Sequence, residues 1–180
     1  MSDFSLAIPV ILAHEGGSAY TNKITDKGGP TRWGITARTL GAWRNLGRPA
    51  TPEEVQALGE DEACAIYRAR YWDVCRCGEL DDQTVATKVF DIAVNCGTFV
   101  ASRLLQRAVN LCQSDYVPED GRIGPVTLAA ANACAPDDLI TYLVRVQEDH
   151  YRLIVASNSS QEPNLRGWLI RAQWPLRSAA

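Results

Sequence analysis

The chain has 180 residues, 46% of them hydrophobic, and a formal net charge of -3. That is enough apolar mass for a compact core with room for two lobes, and the acidic balance argues against nucleic acid or an anionic membrane as partner. Six cysteines, at 64, 75, 77, 96, 112 and 134, are too scattered for a dense disulfide framework, and with only His14 and His150 no metal site and no cofactor are expected.

The first element is predicted from MSDFSLAIPVILAHEGG. Phe4, Ile8, Ile11, Leu12 and Glu15 fall on one helical stripe. Pro9 either kinks this helix or belongs to its first turn, and Gly16-Gly17 end it. The run is too short to span a bilayer, and Asp3 is the wrong flank for a signal peptide. Synthesis in the cytoplasm, with any export by a separate route, is the expectation.

YTNKITDKGGPTRWGIT then reads as a small β-hairpin or three-stranded sheet. Thr36 is placed to cap a helix running to about Leu46, stopped by Gly47. Thr51-Pro52-Glu53-Glu54 carries a cap, a proline at the first helical position and a glutamate three residues after the cap. Helices follow over about 60–74, from Asp82 to Gly97, and from Thr98 to Cys112. A loop over 113–121 suggests a lobe boundary, giving lobes 1–112 and 113–180. Gly124-Pro125 opens an Ala-rich helix, 136–157 is long and amphipathic, SNSSQEPN is a loop, and LRGWLIRAQW a short terminal helix. The fold class is mainly α with one small β element near the N-terminus.

Glu15 is the leading candidate for chemistry. A carboxyl hemmed in by apolar groups is penalised as an anion and is suited to act as a general acid. Gly16-Gly17 leave room for a substrate. The plainer reading is a surface residue at a helix end, where a carboxylate opposes the helix dipole. Asp26 lies where a hairpin could present it toward that helix end, although Asp before Gly-Gly is also ordinary turn chemistry. Thr31 and Thr36 are suited to orient a water or a sugar hydroxyl, or are simply strand and cap residues. Glycoside hydrolysis needs such a set: an acid for the leaving oxygen and a second group to stabilise the cation or activate water.

Asp91 and Asn95 lie four apart, with Thr84 and Lys88 on the same helical face. That face is either a solvated polar stripe or a cleft wall that bonds acetamido and hydroxyl groups. Tyr67, Tyr71 and Trp72 are candidates for stacking on sugar rings, against the ordinary role of core aromatics. A cysteine peptidase is a weaker reading, since each thiol falls on a core or helical pattern.

Taken in order, EGG at 15–17, DKGGPTRWGIT at 26–36, YRARYWD at 67–73 and FDIAVNCG at 90–97 resemble the glycoside hydrolase 108 type of N-acetylmuramidase. That family includes phage endolysins and bacterial muramidases that assist toxin secretion. DGRIGPVTLAA at 120–130 and RGWLIRAQW at 166–174 resemble its C-terminal peptidoglycan-binding region. The resemblance implies a lysozyme-like, mainly helical fold and cleavage of the β-1,4 bond between N-acetylmuramic acid and N-acetylglucosamine. It places the catalytic acid on Glu15 and the motif aspartate on Asp26. It implies a C-terminal lobe that holds glycan or stem peptide through Trp168, Arg171 and Tyr142, unless the tryptophans simply pack. Bacterial peptidoglycan is the expected partner of a monomer. One departure is that Ser18-Ala19 precede Tyr20, where family members place an aromatic directly after EGG. A lytic transglycosylase using Glu15 alone and a non-catalytic wall-binding protein are the competing readings.

Overall fold

The structure is a computed structural model that describes residues 1–22 and 29–176. It is mainly α-helical, with one small antiparallel hairpin near the N-terminus. The chain divides into two compact units: Phe4–Arg70, and Met1–Asp3 together with Tyr71–Ala180. The boundary at 112–113 suggested by the loop composition falls inside the second of these.

The first unit opens with α1 (Phe4–His14). Ala7, Ile8, Ile11 and Leu12 are its buried residues, so the stripe read from the sequence is the face that packs. Pro9 lies in the interior of the helix and not in its first turn. It lacks an N–H, so one rung of the helical ladder is missing there. Gly16 and Gly17 take positive φ, 85° and 64°, and the Gly17 amide bonds back to the Leu12 carbonyl at 2.8 Å. This is the left-handed stop expected after a helix.

β1 (Thr31–Arg32) and β2 (Ile35–Thr36) pair antiparallel, with Thr31 opposite Thr36 and Arg32 opposite Ile35. Trp33 and Gly34 form the two-residue connection, at φ 54° and 72°. Two positive φ values in succession define a type I′ turn, whose twist suits a hairpin. Thr21 and Thr31 exchange both backbone hydrogen bonds at 2.9 Å, which adds a third segment to the pair.

Thr36 caps α2 (Ala37–Trp43), its hydroxyl accepting from the Thr39 amide. The helix stops earlier than Gly47. Asn45 already takes a positive φ of 55°, and the Leu46 amide returns to the Gly41 carbonyl; asparagine tolerates this conformation better than most residues. The capping box at Thr51 and Glu54 opens α3 (Pro52–Gln56) as read from the sequence. α4 (Glu60–Tyr67) passes into a π-helical turn, Arg68–Trp72, and the two units divide within that turn.

The second unit is a helical bundle of α5 (Gln83–Cys96), α6 (Thr98–Cys112), α7 (Pro125–Ala133), α8 (Pro136–Ser157) and α9 (Glu162–Ala172). Asp82 caps α5 by accepting from the Val85 amide. α6 has no side-chain cap. Gly97 takes the cap position and Thr98 is the first helical residue. α9 begins at Glu162, so part of the expected loop is helical, with Pro163 in its first turn, where a missing N–H does no harm. α5 is buried along every residue from Val85 to Ala93, the pattern of a central helix and not of a surface one. Each large apolar side chain buried here contributes about 1.5–3 kcal/mol. Among the described residues no helix is long and apolar enough to cross a membrane.

Candidate active site

Glu15 follows the last residue of α1, its amide still bonded to the Ile11 carbonyl at 2.9 Å. Its side chain is half-buried. The two sides of this residue differ. Among the described residues, a Cβ added at Gly16 or Gly17 would meet nothing within 4 Å. A Cβ added at Gly34 would stand 3.0 Å from Glu15 Cβ, 3.1 Å from Glu15 Oε2 and 2.3 Å from the Tyr67 hydroxyl. The tip of the hairpin is therefore packed against the carboxyl, and only a residue without a side chain fits between them.

Tyr67, the last residue of α4, is 1% exposed. Its hydroxyl donates to the Trp33 carbonyl at 2.8 Å. The indole N–H of Trp33 donates to the Leu58 carbonyl at 3.3 Å. The turn Trp33-Gly34 is thus held from two directions while its backbone borders Glu15. Three segments distant in sequence meet here: the end of α1, the hairpin tip and the end of α4.

Asp26 lies outside the described residues. Thr31 and Thr36 face each other across the hairpin that carries the turn. The Thr31 hydroxyl donates to the Gly29 carbonyl at 3.2 Å, and the Thr36 hydroxyl lies 3.1 Å from that of Thr39. Tyr71 is half-buried in the π-helical turn and belongs to the second unit. Trp72 is core, edge-on to Phe90 at 5.4 Å.

Asp91 and Asn95 are also in the second unit, and their surroundings differ from a solvated stripe. Asp91 has no exposed surface, and its carboxylate accepts from Arg171 Nη2 at 2.8 Å and Nε at 3.1 Å. Lys88 is equally buried and donates to the carbonyls of Ala172 at 2.5 Å and Trp174 at 2.7 Å. Asn95 is exposed, and its side-chain oxygen accepts from the Tyr151 hydroxyl at 2.7 Å. The helical-face argument failed at Lys88 and Asp91 because α5 is wrapped on all sides, so the polar groups on it are bonded to other elements.

Comparison with known proteins decides the affiliation. The family model described as glycosyl hydrolase 108 matches residues 8–97, and one described as a predicted peptidoglycan domain matches residues 100–173. A solved structure titled as that of Brucella abortus SagA is similar over 94% of this chain and 92% of that one, at 32% identity and a TM-score of 0.70. The chain belongs to the glycosyl hydrolase 108 family. A comparison with curated proteins gives no match. As a glycosyl hydrolase 108 protein with a peptidoglycan domain, it is a glycoside hydrolase of the lysozyme type, and peptidoglycan is its substrate.

Within this glycosyl hydrolase 108 chain the thiols offer no activated nucleophile. Burial pushes all six upward, Cys75 to about 11 and Cys112 to about 12, and a thiol rather than a thiolate is a poor nucleophile. The peptidoglycan-domain match includes α9, where Trp168 stacks on Tyr151 at 5.3 Å and Arg171 holds Asp91. Burial lowers the Lys88 ammonium to about 8, against the attraction of Asp91. Three residues packed at or beside Glu15 escaped the sequence reading: Gly34, Trp33 as a turn residue, and Tyr67 as their anchor. The adjacent WG between two β-prone pairs, TR and IT, was the available signal, since a hairpin of that length needs positive φ at both turn positions.

Proposed function

We propose that this glycosyl hydrolase 108 member is an N-acetylmuramidase that cleaves the β-1,4 bond between N-acetylmuramic acid and N-acetylglucosamine, with Glu15 as general acid. The observation that carries this reading is the asymmetric setting of Glu15. Its carboxyl is packed on one side by the hairpin tip, and the Gly16-Gly17 pair that follows Glu15 adds no side chain and has no described atom within 4 Å of an added Cβ. Glu15 gives its proton to the bridging oxygen as the C1–O bond breaks, and the electron pair leaves with that oxygen. Asp26 supplies the second carboxylate, stabilising the cationic sugar or activating water; this part of the reading rests on the sequence motif. Thr31, Thr36 and Tyr71 contact sugar hydroxyls and rings. Asp91 and Asn95 serve indirectly, by fastening Arg171 and Tyr151.

In this reading residues 1–112 perform the cut and residues 113–180 grip the wall, in a monomer that leaves the cytoplasm through a phage holin or a dedicated bacterial route. The deciding experiment is release of reducing sugar from purified sacculi by wild type and Glu15→Gln, which keeps the shape and removes the acid. Turnover by the variant is expected to fall by ~10²–10⁴ or more. Wild-type-like turnover in a folded Glu15→Gln would remove Glu15 from the mechanism. Asp26→Asn tests the second carboxylate, with products weighed by mass spectrometry. A muramidase leaves reducing muramic ends, whereas a transglycosylase leaves a species one water lighter and scarcely needs Asp26.

A further inference from the structure

We infer that Tyr67 is a positioning residue for catalysis, acting through the Trp33-Gly34 turn on Glu15. The inference rests on the assignment of Glu15 as general acid. Its basis is a three-body contact. The Tyr67 hydroxyl and the Glu15 carboxyl oxygen both lie within 3.1 Å of one point, the place where a side chain at residue 34 would begin. Gly34 fills that place with hydrogen only, and its φ of 72° is one that side-chain-bearing residues rarely adopt. The turn is held there by the bond from the Tyr67 hydroxyl to the Trp33 carbonyl, 34 residues away in sequence.

The chemistry gives this clamp a purpose. A general acid must meet the leaving oxygen at hydrogen-bonding distance and in line, and displacements of about 1 Å cost up to ~10²-fold in rate. Glu15 stands just beyond the last turn of α1, with a turn backbone packed against one side of it. The hairpin tip walls one side of the carboxyl, and the bond from Tyr67 helps hold that tip in place. Tyr67 is too buried to meet the sugar itself, so its loss should slow the chemical step and leave substrate binding nearly unchanged.

The test uses soluble, uncross-linked glycan strands as substrate, so that kcat and KM separate. Wild type, Glu15→Gln, Tyr67→Phe, Gly34→Ala and the double variant Gly34→Ala/Tyr67→Phe are compared. Tyr67→Phe keeps the ring in the core and removes the bond to Trp33. Its kcat is expected to fall ~10–100-fold, with KM within about twofold of wild type. Gly34→Ala should lose at least as much in the wild-type background. It should lose less when added to Tyr67→Phe, because the oxygen 2.3 Å from the new methyl is then gone.

A kcat of Tyr67→Phe within about twofold of wild type, or fold-losses that simply multiply in the double variant, would overturn the inference. If Tyr67→Phe does not fold, Gly34→Ala decides alone. A folded Gly34→Ala with reduced kcat and unchanged KM supports the clamp, and one with wild-type kcat overturns it. Wild-type turnover by Glu15→Gln would sink the assignment of the acid itself, a different failure from an active Tyr67→Phe beside a dead Glu15→Gln.

Discussion

The two units of this enzyme hold their important polar groups by opposite means. Around Glu15 the chain withholds side chains. Gly16 and Gly17 follow it in the chain, Gly34 lies against the carboxyl, and a backbone turn forms a wall beside it. In the helical bundle the chain buries charge instead. Lys88, Asp91 and Arg171 sit in or beside the core and fasten α9 to α5. The first arrangement gives close placement at little stabilising energy. The second gives cohesion, because a buried ion is tolerable only while its partners stay in place.

Substitutions should therefore separate along this line. The largest contrast is expected from Glu15→Gln, with activity lost by ~10²–10⁴ and the thermal midpoint nearly unchanged; a large drop in Tm would mean that the glycine-rich region carries structural load after all. Arg171→Leu should do the reverse. Removing the guanidinium leaves the carboxylate of Asp91 in the core, which costs about 3–5 kcal/mol in urea denaturation. Adding Asp91→Leu should recover much of that loss, and failure to recover would show that Asp91 is stabilised mainly by other groups.

Lys88 gives a smaller, pH-dependent effect with a definite sign. Its ammonium titrates near 8 in the folded protein, below its ordinary value of 10.5, because burial disfavours the charge. Between those pH values the unfolded chain binds the proton that the folded one has released, so stability rises with pH across that window. Burial raises the Tyr151 phenol, and that group works the other way above about pH 10. Thermal scans at pH 7.5 and 9.5 should show wild type gaining on Lys88→Met; a constant difference would mean that Lys88 does not titrate there. The smallest effects belong to the caps. Thr51→Ala in the first unit and Asp82→Ala in the second should each cost about 1 kcal/mol. Near-equal values would show that local helix starts are unaffected by the contrast between the units.

Local signals were legible in the sequence. The caps at Thr36, Thr51 and Asp82, the stop at Gly16-Gly17 and the buried stripe of α1 all depend on residues within one helical turn of each other. Glu15 stood out for the same reason, since its neighbours are in the same short segment. What escaped depends on separation. Tyr67 reaches Trp33 across 34 residues, and Arg171 reaches Asp91 across 80. No periodicity encodes such pairings, and the helical-face rule misread α5 because it assumes one side in water. The early stop of α2 at Asn45 was missed because glycine two residues later was the stronger textual cue. Family resemblance supplied the substrate, which spacing alone could not.

The grip of Lys88 on the carbonyls of Ala172 and Trp174 bears on how the protein can be cut down. A deletion series that trims from the carboxyl end is expected to be tolerated as far as Leu176. It should fail once Trp174 is gone, because the ammonium then loses one of the two carbonyls that hold it in the core. Anyone seeking a minimal wall-degrading module from this scaffold should take that residue as the limit.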